Sequence, residues 1–186
     1  SPSDLYDIGT LAKIIKIVEM PDGGITIILQ GIKRFKVKDI IATEPYFIAS
    51  VKYLEDDINK RNLKELDAIA GSVKDAALHI IKLSPHLPQE AAFAIKNIEG
   101  HSFLVNFIAS SMEIDNPLDK IALLREGRLK QRALKLLELL NKQIDILKIK
   151  DDIQQKVRSE IDQQQREYYL NNQLKTIQEE LGMNTN

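Results

Sequence analysis

Between Gly127 and Gly182 the chain contains neither proline nor glycine, so nothing in its local chemistry stops a helix for more than fifty residues. Apolar residues keep helical spacing through Leu129, Ala133, Leu136, Leu140, Ile144 and Leu147, then through Ile149, Ile153, Val157 and Ile161. At about 1.5 Å of rise per residue such a helix would extend roughly 80 Å, farther than the domain before it. Its far end is therefore expected to dock elsewhere. The polar run Asp162–Glu167 interrupts the stripe, which resumes at Tyr168, Leu170, Leu174, Ile177 and Leu181 as an expected second docking surface.

The opening of the chain follows another period. Ile14–Val18 and Ile25–Leu29 are β-branched runs around Pro21-Asp22-Gly23-Gly24, which predicts a hairpin with both strands well covered. Arg34-Phe35-Lys36-Val37-Lys38 alternates charge with apolar bulk and reads as a third strand, and Tyr46–Tyr53 reads as a fourth. Four strands leave unpaired edges, so further strands are expected upstream of Ser1.

From Asn59 the period becomes helical. Leu63, Leu66, Ala70, Val73, Ala77 and Ile80 mark one amphipathic helix that must stop before Ser84-Pro85. Pro88 opens a second helix reaching Asn97, Phe103–Ala109 forms a third beyond Gly100, and Asn116 caps a fourth that runs from Pro117 through Leu124. The expected class is α+β: a partial antiparallel β lobe over 1–57, a small helical bundle over 58–124, and a long helix over 125–186.

Chemistry is sparse. No phosphate-binding glycine loop or dinucleotide fingerprint occurs. His79, His86 and His101 lack the paired-ligand spacing of metal hydrolases, and there is no cysteine to supply a thiolate. Ser110-Ser111 has no base motif beside it. The chain thus has no recognisable catalytic, cofactor or metal residues. Lysine plus arginine total 26 against 27 acidic residues, which gives no general pull toward nucleic acid or an anionic membrane. Neither a membrane span nor a signal peptide is discernible, and the lack of cysteine suits the cytoplasm. Lys33, Arg34, Lys36 and Lys38 could meet phosphates but read better as a solvated strand face, because no aromatic platform lies beside them. The pair Tyr168-Tyr169 offers apolar bodies with polar tips on an exposed helix.

Two regions of the chain, its opening and its tail, carry a resemblance. Leu5–Ala12, Met20–Gly24 and Gln30–Arg34 resemble the middle of the β domain at the N-terminus of Lon proteases. The tail Gln165–Lys175, continuing Thr176–Gly182, is similar to the segment leading into the Lon ATPase module. Such β domains also occur without a protease, as in cereblon-like proteins, but the tail argues against that relative. Glu126-Gly127 departs from the family's polar helix cap, and 87–112 matches only in apolar pattern. The resemblance implies a non-catalytic N-terminal part of a homohexameric serine protease that uses ATP and magnesium to unfold substrates and a Ser-Lys dyad to cut them. Unpaired strand edges and a helix that outreaches its domain make unfolded or damaged polypeptides the expected partners, with Arg34, Phe35, Tyr168, Tyr169 and Leu170 as candidate contacts and the long helix as a relay to the ATPase. A scaffold that self-associates along Leu129–Ile161, without substrate contact, is the alternative.

Overall fold

A computed structural model describes residues 2–58, 60–114 and 116–182. By its internal contacts the chain divides into two units, 1–141 and 142–186.

The first unit opens with a three-stranded antiparallel sheet in the order β1 (Ile8–Glu19), β2 (Ile25–Ala42), β3 (Ile48–Leu54). The expected hairpin turn forms between β1 and β2. Gly23 takes φ 83°, a conformation that glycine adopts without a Cβ clash, and its N–H donates to the Met20 carbonyl at 2.9 Å. Asp22 Oδ1 accepts from Gly24 N at 2.9 Å and closes the turn.

The second and third predicted strands are one. Gly31 does not break β2, because the ladder absorbs the irregularity as a register shift between Leu11 and Ala12, opposite Gly31–Lys33. The sheet therefore has three strands where four were expected. The expectation that the hairpin is well covered also fails, since Ile14, Ile17, Ile25, Ile27, Ile28 and Leu29 are all exposed.

The apolar core of this unit is helical. It lies among α1 (Leu63–Leu83), α2 (Gln89–Lys96), α3 (His101–Ser111), α4 (Pro117–Arg125) and the start of α5 (Leu129–Glu180). The predicted α1 stripe buries Leu66, Ala70, Val73, Ala77 and Ile80 but leaves Leu63 exposed. The expected start at Asn59 lies outside the described residues, as do the outer limits of the first and last segments, Ser1 and Asn186. The helix ends one residue before Ser84, as the following proline requires. Gly100, at φ 86°, separates α2 from α3. Asn116 caps α4 by accepting from Leu118 N at 3.1 Å. Leu129, Ala133, Leu136 and Leu140 bury the first turns of α5 against this core.

Within the second unit the chain stays helical to Glu180, passing through Asp162–Glu167 without a break. Every residue from Lys148 to Gly182 is exposed. Side-chain bonds one turn apart support this solvated helix: Gln155 to Asp151 at 2.8 Å, Gln163 to Glu167 at 3.1 Å and Gln173 to the Tyr169 hydroxyl at 2.9 Å.

Candidate functional site

Register determines which side chains share a face of the hairpin. Ile14 pairs with Leu29 and Ile17 with Ile27, while Glu19 pairs with Ile25. One extra residue, Ile15, is absorbed between Ile14 and Lys16. Side chains alternate along an ordinary strand, so Ile14 and Ile17, three apart, would fall on opposite faces without that bulge. With it, Ile14, Ile17, Ile25, Ile27 and Leu29 stand together on one face, each about half exposed or more. The opposite face is mixed, with Lys13, Lys16, Gln30 and Thr26 standing beside Ile28 and Val18, while Glu19 shares the apolar face opposite Ile25. Among the described residues β1 pairs only with β2, and β3 pairs with β2 only over 34–42, so the unpaired edge of β1 flanks this surface.

At the other end of the sheet, polar groups make the joint to the helices. Arg34 is buried at 7% exposure. Its Nη1 donates to the carbonyls of Leu124 at 2.8 Å and Glu126 at 3.2 Å, and its Nη2 donates to Asp56 Oδ1 at 2.6 Å. Arg132 on α5 is 1% exposed and reaches the same carboxylate oxygen at 2.7 Å. It also donates to Asn106 Oδ1 at 2.8 Å and, through Nη2, to the Glu126 carbonyl at 2.7 Å. Ser102 Oγ donates to Asp56 Oδ2. Carbonyls at the C-terminal end of α4 are the negative pole of that helix, which suits two cations served by one carboxylate.

Burial pushes the Asp56 carboxyl up, but the hydrogen bonds from Arg132 and Ser102 and the charges of Arg132 and Arg34 outweigh it and hold the group below its ordinary range. Burial and then the repulsion of Arg132 lower the Arg34 guanidinium, against the pull of Asp56. Glu126 is lowered first by its bond from Arg128, whose Nε lies 3.2 Å from Oε1. That carboxylate also accepts from Arg128 N at 3.1 Å, and Asp57 O accepts from Leu129 N at 3.1 Å. The start of α5 is thus satisfied by a carboxylate side chain and a linker carbonyl, where a serine or threonine cap is absent.

The candidate contacts fall into three environments. Arg34 is turned inward and fully engaged, so it is not offered to a partner. Phe35, half-buried, lies across the ladder from Gly9. Tyr168, Tyr169 and Leu170 are exposed on α5 in the second unit. Of the strand lysines, Lys33 pairs with Glu55 at 2.7 Å, with its ammonium 6.0 Å from the Tyr53 ring centroid. His101 Nε2 lies 2.6 Å from Asp67 Oδ1, and Ser110 Oγ donates to the Phe107 carbonyl at 2.9 Å. Asp56, Ser102, Asn106 and Arg132 escaped the sequence reading because their partners are distant in the chain. The one signal was Arg132 itself, a charge amid the buried stripe of α5. Among the described residues no helix is long and apolar enough to cross a membrane.

A sequence model of the ATP-dependent protease La (LON) substrate-binding domain matches residues 1–142. The chain belongs to that family. It is 50% identical over 182 residues to a Lon protease of Flavobacterium johnsoniae, covering 98% of this chain and 22% of that protein. A Lon protease of Karelsulcia muelleri is 47% identical over 179 residues, 96% of this chain and 21% of its own length. The chain thus spans about a fifth of these Lon proteases, and its family match is to the substrate-binding region. The fold agrees with the N-terminal domain of the Mycobacterium avium complex Lon protease, with a TM-score of 0.61 over 74% of this chain and 72% of that one at 18% identity.

Proposed function

We propose that this Lon substrate-binding region captures unfolded or damaged polypeptide, without catalysis of its own, for an ATP-dependent serine endopeptidase. The observation that carries this reading is the exposed apolar face of Ile14, Ile17, Ile25, Ile27 and Leu29 beside a β1 edge that is unpaired among the described residues. An extended chain could add to the edge of β1 through backbone hydrogen bonds, which ignore sequence, while its apolar side chains cover the face. Folded proteins keep such backbone and side chains inside, so selection follows from the state of the substrate. Phe35 on β2 and Tyr168, Tyr169 and Leu170 on α5 are further proposed contacts.

In the complete enzyme, α5 would lead toward the ATPase module, and the assembly would be a cytoplasmic homohexamer. ATP and magnesium belong to that module. This chain does not fit either group: it has no phosphate loop, and among the described residues no cluster of three or more histidines and carboxylates could hold a metal. A scaffold acting only through α5 is the less favoured reading, because the family match covers the sheet and bundle.

Fluorescence anisotropy with unfolded and folded forms of one protein, at two salt concentrations, tests the proposal. Preference for the unfolded form that survives added salt is expected. Equal affinity for both forms, or binding abolished by salt, would overturn it.

A further inference from the structure

Only two side chains of the three strands are buried among the described residues, Ile8 and Arg34. The rest of the buried apolar core belongs to the helices and the turn after α3. Beside the buried Ile8, defined polar contacts join the sheet to the helices. These are the Arg34 bonds, the exposed Asp7–Arg125 pair at 2.5 Å, and the backbone bridge of Asp57 to Arg128 in the linker.

We propose that Asp56 is a charge-dependent clasp: its single carboxylate holds guanidiniums from β2 and α5, so that losing its charge frees the sheet from the helices while the helices stay folded. Oδ1 of Asp56 accepts from Arg34 at 2.6 Å and from Arg132 at 2.7 Å, and Oδ2 accepts from Ser102 on α3. The other groups around it are Asn106 on α3 and Glu126 in the turn before α5. The Glu126 carbonyl serves both arginines, while its carboxylate is engaged with Arg128. Without the Asp56 charge, two like charges share a buried site and repel, and the carbonyls alone do not neutralise them. Arg34 is the weaker-held of the pair. It is anchored on a sheet with one buried apolar residue, whereas Arg132 sits on a helix pinned by Leu129, Ala133 and Leu136. The break therefore falls between the sheet and the helices.

The clasp gives the polypeptide-binding sheet a releasable attachment to the first turns of α5. It stands or falls independently of what the sheet binds, since its test uses no ligand.

Hydrogen exchange of the whole 186-residue chain is compared for the wild type, Asp56→Asn, Ser102→Ala and Arg125→Ala. Asp56→Asn is expected to speed exchange in β2 and β3 on the order of 100-fold while α1 and α3 stay protected. Ser102→Ala removes one bond but leaves the charge, and should give the same pattern at about 10-fold or less. Arg125→Ala, which breaks only the exposed pair, should leave the sheet unchanged. Sheet and helices accelerating together, no change in either, or an equal effect of Arg125→Ala would each overturn the clasp.

Discussion

Gly9 on β1 sits directly opposite Phe35 on β2, and the Phe35 ring occupies the space where a Gly9 side chain would be: an added Cβ would lie 2.6 Å from Phe35 Cζ. The ring thus uses the absence of a side chain to cover the strand backbone.

Gly9→Ala is therefore expected to destabilise the first unit by about 1–3 kcal/mol, because the ring must leave its place. The clash belongs to the pair, so in a Phe35→Ala background the same substitution should cost well under that. A double-mutant cycle by urea unfolding measures the coupling. Additive effects would show that the ring is not what excludes a side chain at Gly9.

Helix α5 permits a contrast within one turn. Leu136 is fully buried, whereas Leu134 is 38% exposed. Leu136→Ala should cost about 2–5 kcal/mol through lost burial and the cavity left behind. Leu134→Ala should cost less, about 1 kcal/mol, because part of that side chain already faces water. Thermal unfolding followed by helical circular dichroism distinguishes the two, and equal costs would contradict the packing described for the start of α5.

Acid should weaken the joint between sheet and helices. The Asp56 carboxyl is held below its ordinary value of 3.8 and Glu126 below 4.5. A carboxylate depressed by folding contributes stability above its unfolded pKa, and that contribution is lost as pH falls through the folded one. Stability should accordingly fall as pH drops from about 4.5 through 3.8 and below. In Asp56→Asn, part of that acid dependence should disappear. An identical pH profile in the variant, measured by urea unfolding across this window, would mean that Asp56 contributes nothing to it.

Local chemistry announced much of this architecture. The turn at Pro21–Gly24 requires a residue such as Gly23, the helix stop before Pro85 follows from backbone sterics, and Asn116-Pro117 is a cap followed by an N1 proline. Each depends on residues within a few positions, and the structure shows each in place. The long unbroken α5 was visible because nothing within it opposes a helix. What escaped depends on distance in sequence. Gly31 looked like a strand end, but pairing with Ala12 carries the ladder through it. Arg34 looked like part of a wet basic face, but Asp56 and the end of α4 draw it inward. The bulge at Ile15, which assembles the apolar face, leaves no signature in composition at all.

That face supplies the sharpest test of polypeptide capture. Ile17 and Ile27 are cross-strand partners at 58% and 50% exposure, so at least half of each side chain lies open to solvent. Changing both to lysine keeps the aliphatic stems over the sheet and places two like charges where an apolar side chain of the bound polypeptide would lie. Stability should change by less than about 1 kcal/mol, a cost arising from like charges placed opposite one another. Affinity for unfolded polypeptide should drop by about 10-fold or more, since covering one large apolar side chain is worth roughly 1.5–3 kcal/mol. Anisotropy at high salt separates the loss of apolar contact from simple charge repulsion, which salt screens. Undiminished affinity would place the polypeptide elsewhere, and Tyr168→Ala with Tyr169→Ala on α5 would then be the substitutions expected to weaken it.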